Sequence, residues 1–348
     1  MCIPATYNKN RGADGGTGSI VARPSSEIRR PGAAGREDSV FLRCLSMRVR
    51  GFLFWGVVLV VLGSADSVYA WGPATHVAIG AEVLARLALL PAAVAALLAR
   101  NAAAYLYGTI AADVVFAKRL SRVKQFCHHW STGFSLLERS QSDSSRAFAL
   151  GYLSHLAADT VAHGKYVPRQ ITLSGASVNF GHFYWELRAD CAADAAAWTR
   201  LKGLMAQDFD EHHCTLSAHL KGTFLPYPLN RKLFHGINAT ALNPLHRRAV
   251  TAWSSLSKHD LSPSLVAAYR EECVDRTLSL LSEERHCAIL RDDPNGTASL
   301  TQTRVALRGL RRQTRRGFDR RAIAREFTAA WSPDCATRCG SAKQALIA

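Results

Sequence analysis

The segment from His155 to His163 places two imidazoles and one carboxylate at intervals of four residues. His155, Asp159 and His163 therefore follow one face of a helix, with a drift of only about 40° per step. The intervening residues are small or apolar, so this face is expected to point into the protein. A buried carboxylate between imidazoles is costly without a compensating cation, and zinc accepts both ligand types. The alternative is a polar helix face with two hydrogen-bonded core histidines.

His182 and Glu186 repeat the spacing of four residues within the stretch 180–202, which is predicted to form one long helix. Together with His163 they provide two histidines and one glutamate. This set leaves an open coordination position in known catalytic zinc sites. An ordinary His–Glu pair on a solvated helix face is the alternative.

Earlier positions offer further ligands, each of which is weak evidence alone. Asp113 lies in an apolar stretch, and one of His128 and His129 can bind a metal while the other lies at the surface or supports the ligand from behind. Trp71 would offer a backbone amine and carbonyl in one chelate ring if it were the first residue, and His76 follows closely. The alternatives are a helix cap or ion pair for Asp113, a core aromatic for Trp71 and a helix-start residue for His76.

The amino-terminal part of the chain indicates export. Residues 1–46 are rich in Gly, Arg, Ser and Pro, and are predicted to be disordered or to precede the real start. Residues 47–70 have a basic beginning, an apolar run at 51–63 and small residues before Ala70, as in a signal peptide. Cleavage there would make Trp71 the first residue of a secreted or periplasmic protein. An uncleaved anchor is the alternative, although the run is shorter than the roughly 20 residues of a transmembrane helix.

The remaining chain is rich in Ala and Leu, has apolar residues at helical spacing and lacks alternating strand patterns. The fold is therefore predicted to be all-α, with a single multi-helix catalytic domain at 71–290 and a basic C-terminal extension at 291–348. Polar residues and a glycine indicate a loop at 172–179. Besides 180–202, helices are predicted at 75–90, 91–100, 105–120, 144–163, 204–219, 244–258, 263–283 and 320–331.

Seven of the nine cysteines follow Ala70, an odd number that leaves at least one thiol outside any internal pairing. Export permits disulfides. Two candidate bridges are Cys273 with Cys287, and Cys335 with Cys339.

The formal net charge is +16, and residues 301–348 contain eleven basic against three acidic residues. A solvated basic helix or tail explains this segment. The functional alternative is an anchor for an anionic lipid surface or for nucleic acid.

The motifs as a set resemble the zinc-dependent phospholipase C family. That family includes bacterial phosphatidylcholine-cleaving enzymes and clostridial alpha-toxin, and the single-strand-specific zinc nucleases share its helical fold. The resemblance covers about residues 71–190. It rests on the order Trp71/His76, Asp113, His128, His155-x3-Asp159-x3-His163 and His182-x3-Glu186.

The resemblance implies up to three zinc ions, with Asp159 bridging two of them. It assigns them to three sets: Asp113, His128, His155 and Asp159; His163, His182 and Glu186; and the Trp71 amine and carbonyl with His76 and Asp159. Asp113 would also be the general base for attack of a metal-bound hydroxide on phosphorus. Glu186 fits the phospholipases, whereas the short spacing from Trp71 to His76 is closer to the nucleases.

The expected function is a secreted phospholipase C that hydrolyses the glycerol–phosphate ester of phospholipids. The alternatives are a zinc-dependent nuclease or nucleotidase, which would bind nucleic acid, and a non-catalytic zinc-binding envelope protein. The expected partners are a phospholipid or other phosphoester and, through 301–348, an anionic membrane surface. The lipid-binding β-domain of alpha-toxin has no counterpart in the arginine-rich residues 291–348. We expect a monomer.

Overall fold

Helices form nearly all the regular structure in residues 71–116 and 126–333, the parts of the chain that the computed structural model describes. No strand occurs in these two ranges, which confirms the all-α prediction. The helices are α1 (Pro73–Ala85), α2 (Ala92–Arg100), α3 (Ala102–Ala111), α4 (Trp130–Glu138), α5 (Asp143–Val161), α6 (Val167–Ser174), α7 (Val178–Cys191), α8 (Ala195–Met205), α9 (Asp210–His219), α10 (Tyr227–Ala241), α11 (Pro244–Ser255), α12 (Pro263–Glu283), α13 (Thr297–Arg315) and α14 (Arg320–Thr328).

Helix α5 is the centre of the molecule and packs against α3, α4 and α12. Its start is fixed by Ser142, whose hydroxyl accepts a hydrogen bond from the Ser145 backbone N–H in a capping box. Every residue from Ala147 to Val161 is buried, so the helix has no solvated face beyond its first turn. Any polar side chain in this buried part must therefore find its partner inside the protein.

Helices α3 and α5 approach each other backbone to backbone at two glycines. A Cβ atom at Gly108 would lie 2.2 Å from the Phe148 carbonyl oxygen, and one at Gly151 would lie 2.0 Å from that of Tyr105. Only glycine allows this approach. The contact brings the segment just after α3, which carries Asp113, alongside the second half of α5.

A π-helical turn, Ala162–Tyr166, continues α5 directly into α6. Because a π turn is wider than an α-helical turn, the side chains after Val161 point in directions that a continuous α-helix would not give them. This turn also precedes Pro168, which has no N–H to donate and lies in the first turn of α6. The predicted loop at 172–179 is mostly wrong: α6 continues to Ser174, Gly175 follows it with a φ of +70°, and α7 begins at Val178.

The predicted single helix at 180–202 is two helices. Helix α7 ends at Cys191, and the carboxylate of Asp194 caps the start of α8 by accepting a hydrogen bond from the Ala197 N–H at 2.7 Å. Sequence patterns did not reveal this break because both flanking segments are rich in alanine. An aspartate at such a position is a typical helix-start residue.

Three further helices were not predicted: α4, α10 and α13. Helix α13 lies within the segment that was interpreted as a basic extension, and it packs with α14 against α6. Its core-facing side carries few apolar residues, among them Leu307 and Leu310, so the helical period is hard to see among the arginines. No helix in the described parts of the chain is both long and apolar enough to cross a bilayer.

The proposed Cys273–Cys287 bridge is wrong, because both thiols are free. Cys273 lies on the buried side of α12, where its sulfur faces the Ala158 carbonyl oxygen at 3.6 Å. The second proposed pair, Cys335 and Cys339, lies outside the described residues. The predictions for 1–46 and for the signal peptide at 47–70 fall outside them as well.

Candidate metal centre

The carboxylate of Asp159 lies at the centre of a group of imidazoles. Its Oδ2 atom is 3.1 Å from Nε2 of His155 and 3.2 Å from Nε2 of His128, and its Oδ1 atom is 3.4 Å from Nε2 of His76. His163 is farther, with its Nε2 atom 3.9 Å from Oδ2. One carboxylate thus faces ring nitrogens from separate parts of the chain.

Asp113 completes this arrangement, which we call the central cluster: His76, Asp113, His128, His155 and Asp159. The carboxylate of Asp113 lies 3.3 Å from Nε2 of His128 and 4.0 Å from Nε2 of His155. Helix α1 supplies His76, the 3-10 turns Ala112–Val114 and Phe126–His128 supply Asp113 and His128, and α5 supplies the other two. All five side chains are buried.

Several polar atoms in this cluster are buried without a hydrogen bond. They are Nε2 of His76 and both carboxylate oxygens of Asp159. The Nε2 atoms of His128 and His155 also face each other at 3.2 Å. Leaving the Asp159 carboxylate oxygens and the His76 ring nitrogen buried without hydrogen bonds is costly, and a cation among these groups would offset that cost. The donor set of imidazole nitrogens and carboxylate oxygens fits zinc.

The charge states of these groups also suit metal binding. Burial by itself raises the pKa of Asp159, but the neighbouring imidazoles, His155 above all, hold that pKa well below its usual range. Burial and the proximity of His155 lower the pKa of His76. The cluster therefore presents a carboxylate and a neutral imidazole, the forms in which these side chains bind zinc.

Backbone contacts orient the histidines of the central cluster. Nδ1 of His155 lies 2.8 Å from the Thr109 carbonyl oxygen, so this nitrogen donates its proton there and Nε2 faces Asp159. The amide of Asn295 donates to the His128 carbonyl oxygen at 3.1 Å. The hydroxyl of Tyr152 donates to the Cys127 carbonyl oxygen one residue earlier.

A second ligand group consists of His163, His182 and Glu186. Nε2 of His182 is 2.6 Å from Oε1 of Glu186, and the rings of His163 and His182 are 4.8 Å apart between centroids. One possible ligand atom from each residue lies within 4.8 Å of the others. Because His163 lies in the π turn that continues α5, the two groups are linked through one continuous helical segment.

The structure brings together the side chains that the sequence predicted. Three sets of ligand atoms cluster within 4.8 Å: His76, Asp113 and His155; His128, His155 and Asp159; and His163, His182 and Glu186. His76 thus groups with Asp113 and His155 as well as facing Asp159. Of the two adjacent histidines, His128 is buried in the cluster, whereas His129 is exposed at the start of α4.

Trp71 is fully buried, and its ring stacks on Tyr166 of the π turn with centroids 4.6 Å apart. The carbonyl oxygen of Gly72 accepts the first backbone hydrogen bonds of α1, from Thr75 at 3.0 Å and from His76 at 3.1 Å. The backbone of Trp71 thus runs directly into the helix that carries His76.

Asp190 is a positioning residue that the sequence prediction missed. Its Oδ1 atom accepts hydrogen bonds from the Thr75 N–H at 2.8 Å and the Thr75 hydroxyl at 3.0 Å. Asp190 lies on α7, four residues after Glu186, and its hydrogen bonds attach the start of α1 to that helix. That spacing was a usable signal, since it continues the series formed by His182 and Glu186.

Residues 75–227 match a protein family described as zinc dependent phospholipase C. The matched span contains every predicted ligand except Trp71, which lies just before it. No curated protein and no solved structure matches the chain significantly.

Proposed function

Because residues 75–227 belong to the zinc-dependent phospholipase C family, we propose that the chain hydrolyses the glycerol–phosphate ester of phospholipids. The observation that carries this proposal is the Asp159 carboxylate, which is fully buried and faces His76, His128 and His155 within 3.4 Å. A purely structural carboxylate at this place would be expected to accept hydrogen bonds, and both of its oxygens lack them.

The residues suited to hold zinc are those of the central cluster and of the second ligand group, with up to three ions if the Trp71 backbone takes part. Bound zinc supplies Lewis acidity that stabilises charge on a phosphoryl group. The chain's own contribution is to fix the ligands. Thr109 and Asn295 hold His155 and His128 through backbone hydrogen bonds, which limits the adjustment needed when a substrate binds.

Asp113 is the proposed general base. Its side chain is almost fully buried and lies 3.3 Å from His128, next to the Asp159 carboxylate that the same imidazole faces. A carboxylate at this position can accept a proton from the attacking water while it also takes part in metal binding.

We also propose that the protein is secreted or periplasmic and begins at Trp71 after cleavage behind Ala70. The signal-peptide pattern of residues 47–70 supports this proposal, and a free amine at Trp71 would lie close in sequence to His76. Amino-terminal sequencing of the exported protein should give Trp-Gly-Pro. Recovery of a chain that still contains residues 47–70 would contradict the proposal.

Parallel assays test the reaction class. The purified protein should bind up to three zinc ions and should hydrolyse phosphatidylcholine vesicles faster than single-stranded DNA, with bis-p-nitrophenyl phosphate as a soluble control substrate. Preference for DNA would indicate the nuclease alternative. Zinc content without turnover of any of the three substrates would indicate a non-catalytic zinc-binding protein.

A further inference from the structure

Helices α13 and α14 and the turn between them form an exposed basic surface. It contains nine arginines and no lysine, against only two acidic residues, Asp319 and Glu326. Asp319 is used locally, since its carboxylate accepts a hydrogen bond from the Arg321 N–H at the start of α14. The exposed arginines of this basic surface are Arg304, Arg308, Arg311, Arg312, Arg315, Arg316, Arg320, Arg321 and Arg325.

Helix α13 separates its basic side from its buried side. With a rotation of about 100° per residue, its five arginines fall within an arc of about 100°. Thr303, Leu307 and Leu310 lie outside this arc and are buried. Helix α13 contains no acidic residue, so nothing along it neutralises the arginines.

Three apolar side chains lie among the arginines and are exposed. Val305 is 55% exposed, Phe318 is 59% exposed and Phe327 is 38% exposed. Phe318 follows Gly317, whose φ of +89° forms the turn between the two helices. Exposed aromatic residues beside a cluster of arginines are typical of helices that lie in the interface of an anionic membrane.

The basic surface is attached to the second ligand group. Helix α13 packs against the π turn that carries His163 and against α6. Just before α13, Gly296 has a φ of +60°, and a Cβ atom there would lie 2.4 Å from the His163 carbonyl oxygen. Contact of this surface with a membrane would therefore hold the metal-binding helices close to the lipid.

We propose that the basic surface docks the protein on an anionic phospholipid bilayer. The guanidinium groups would bind lipid phosphates, and Phe318 would insert at the level of the headgroups. The choice of a bilayer over nucleic acid rests on the proposed function, because the arginines alone would attract either polyanion.

The test is a flotation assay with vesicles of phosphatidylserine and phosphatidylcholine, and with vesicles of phosphatidylcholine alone, near physiological salt. The wild-type protein should bind the anionic vesicles more tightly. In the triple variant Arg308→Gln/Arg312→Gln/Arg315→Gln, the partition coefficient should fall about 100-fold, since each basic residue near an anionic surface contributes about fivefold. Glutamine preserves helix propensity.

The matched control is Arg139→Gln/Arg146→Gln/Arg200→Gln, which removes the same charge from exposed arginines on α4, α5 and α8 or next to them. Its binding should stay within a few fold of wild type. An equal loss in both triple variants would show that net charge alone attracts the protein, and it would overturn the proposal. Equal binding to both kinds of vesicle would overturn it too.

Phe318→Ser should lower binding to the anionic vesicles about tenfold, whereas Leu245→Ser, at another exposed apolar residue, should not. Tighter binding to a single-stranded oligonucleotide than to vesicles, lost in the first triple variant, would assign the surface to nucleic acid instead. Hydrolysis of soluble bis-p-nitrophenyl phosphate should be unchanged in every variant. Failure of that reaction in the wild type would count against the proposed function and leave the vesicle result interpretable.

Discussion

Two of the histidine groups in the described parts of the chain differ in what faces their ring nitrogens. The central cluster surrounds Asp159. The other group, which we call the tyrosine–histidine cluster, consists of Tyr107, His213, Tyr227 and His235, with His213 in the middle. Nε2 of His213 is 2.6 Å from the Tyr107 hydroxyl, and Nδ1 is 2.7 Å from the Tyr227 hydroxyl.

His213 therefore has a partner for each ring nitrogen, and both partners are neutral hydroxyls. In the central cluster, by contrast, a carboxylate lies among several imidazoles, and Nε2 of His76 and both Asp159 oxygens have no hydrogen bond. Burial of histidines does not by itself indicate a metal site. The distinguishing features of the central cluster are its carboxylate and its buried polar atoms without hydrogen bonds.

The largest expected effect is that of Asp159→Asn. The amide removes the charge that three imidazoles face, so zinc content should fall and hydrolysis of bis-p-nitrophenyl phosphate should drop by about 1000-fold or more. Metal analysis and rate measurements on the same preparation check this. Full zinc content with full activity would remove Asp159 from the proposed mechanism.

His213→Phe is the matched variant in the tyrosine–histidine cluster. It should leave zinc content and the hydrolysis rate within about twofold of wild type. It should lower the free energy of unfolding by about 2 kcal/mol, because the hydroxyls of buried Tyr107 and half-buried Tyr227 lose their partner. If this variant lost zinc as Asp159→Asn should, the distinction between the two clusters would be wrong.

Removal of metal should produce the next largest effect. A ligand that binds only the folded state stabilises it by about 2.7 kcal/mol when its free concentration is roughly 100 times the Kd. Chelation should therefore lower the Tm of the wild type and of His213→Phe by roughly 5–10 °C. The Tm of Asp159→Asn should shift much less, and a shift as large as that of the wild type would contradict the comparison.

The smallest expected effect is a pH dependence of the tyrosine–histidine cluster. Burial, with help from Arg231 and His235, lowers the pKa of His213 to about 4. The folded state thus disfavours the charged ring, and the stabilisation from the neutral ring is lost as the pH falls from about 6.5 through 4. Between pH 7.5 and pH 4.5, the Tm of His213→Phe should therefore fall less than the Tm of the wild type.

The control for this pH dependence is the exposed His286. The variant His286→Gln should follow the wild-type pH profile. A Tm difference between wild type and His213→Phe that stays constant over this pH range would show that His213 is not held neutral.

Local spacing was sufficient to predict much of the centre. The four-residue intervals placed His155 with Asp159 and His182 with Glu186, and both pairs are in contact in the structure. This works because the helical period relates spacing to direction without reference to the rest of the chain. The all-α class followed from the same period.

Other features could not be read from local patterns, because they depend on segments far apart in the sequence. The side chain of Asp190 accepts hydrogen bonds from Thr75, and the side chain of Asn295, 167 residues after His128, donates to the backbone of that histidine. The π turn at Ala162–Tyr166 has no distinct sequence signal, and its wider winding changes the direction in which His163 points. Tertiary packing, rather than propensity, decides such details.

The close approach of α3 and α5 has a consequence for the evolution of this architecture. At Gly108 and Gly151 even a methyl group would push the two backbones apart and move Asp113 away from His155. In homologues that retain the central cluster, we expect a glycine five residues before the counterpart of Asp113. We expect a second glycine four residues before the counterpart of His155. The pair of glycines would then serve as a sequence marker of an intact centre that is independent of the ligands themselves.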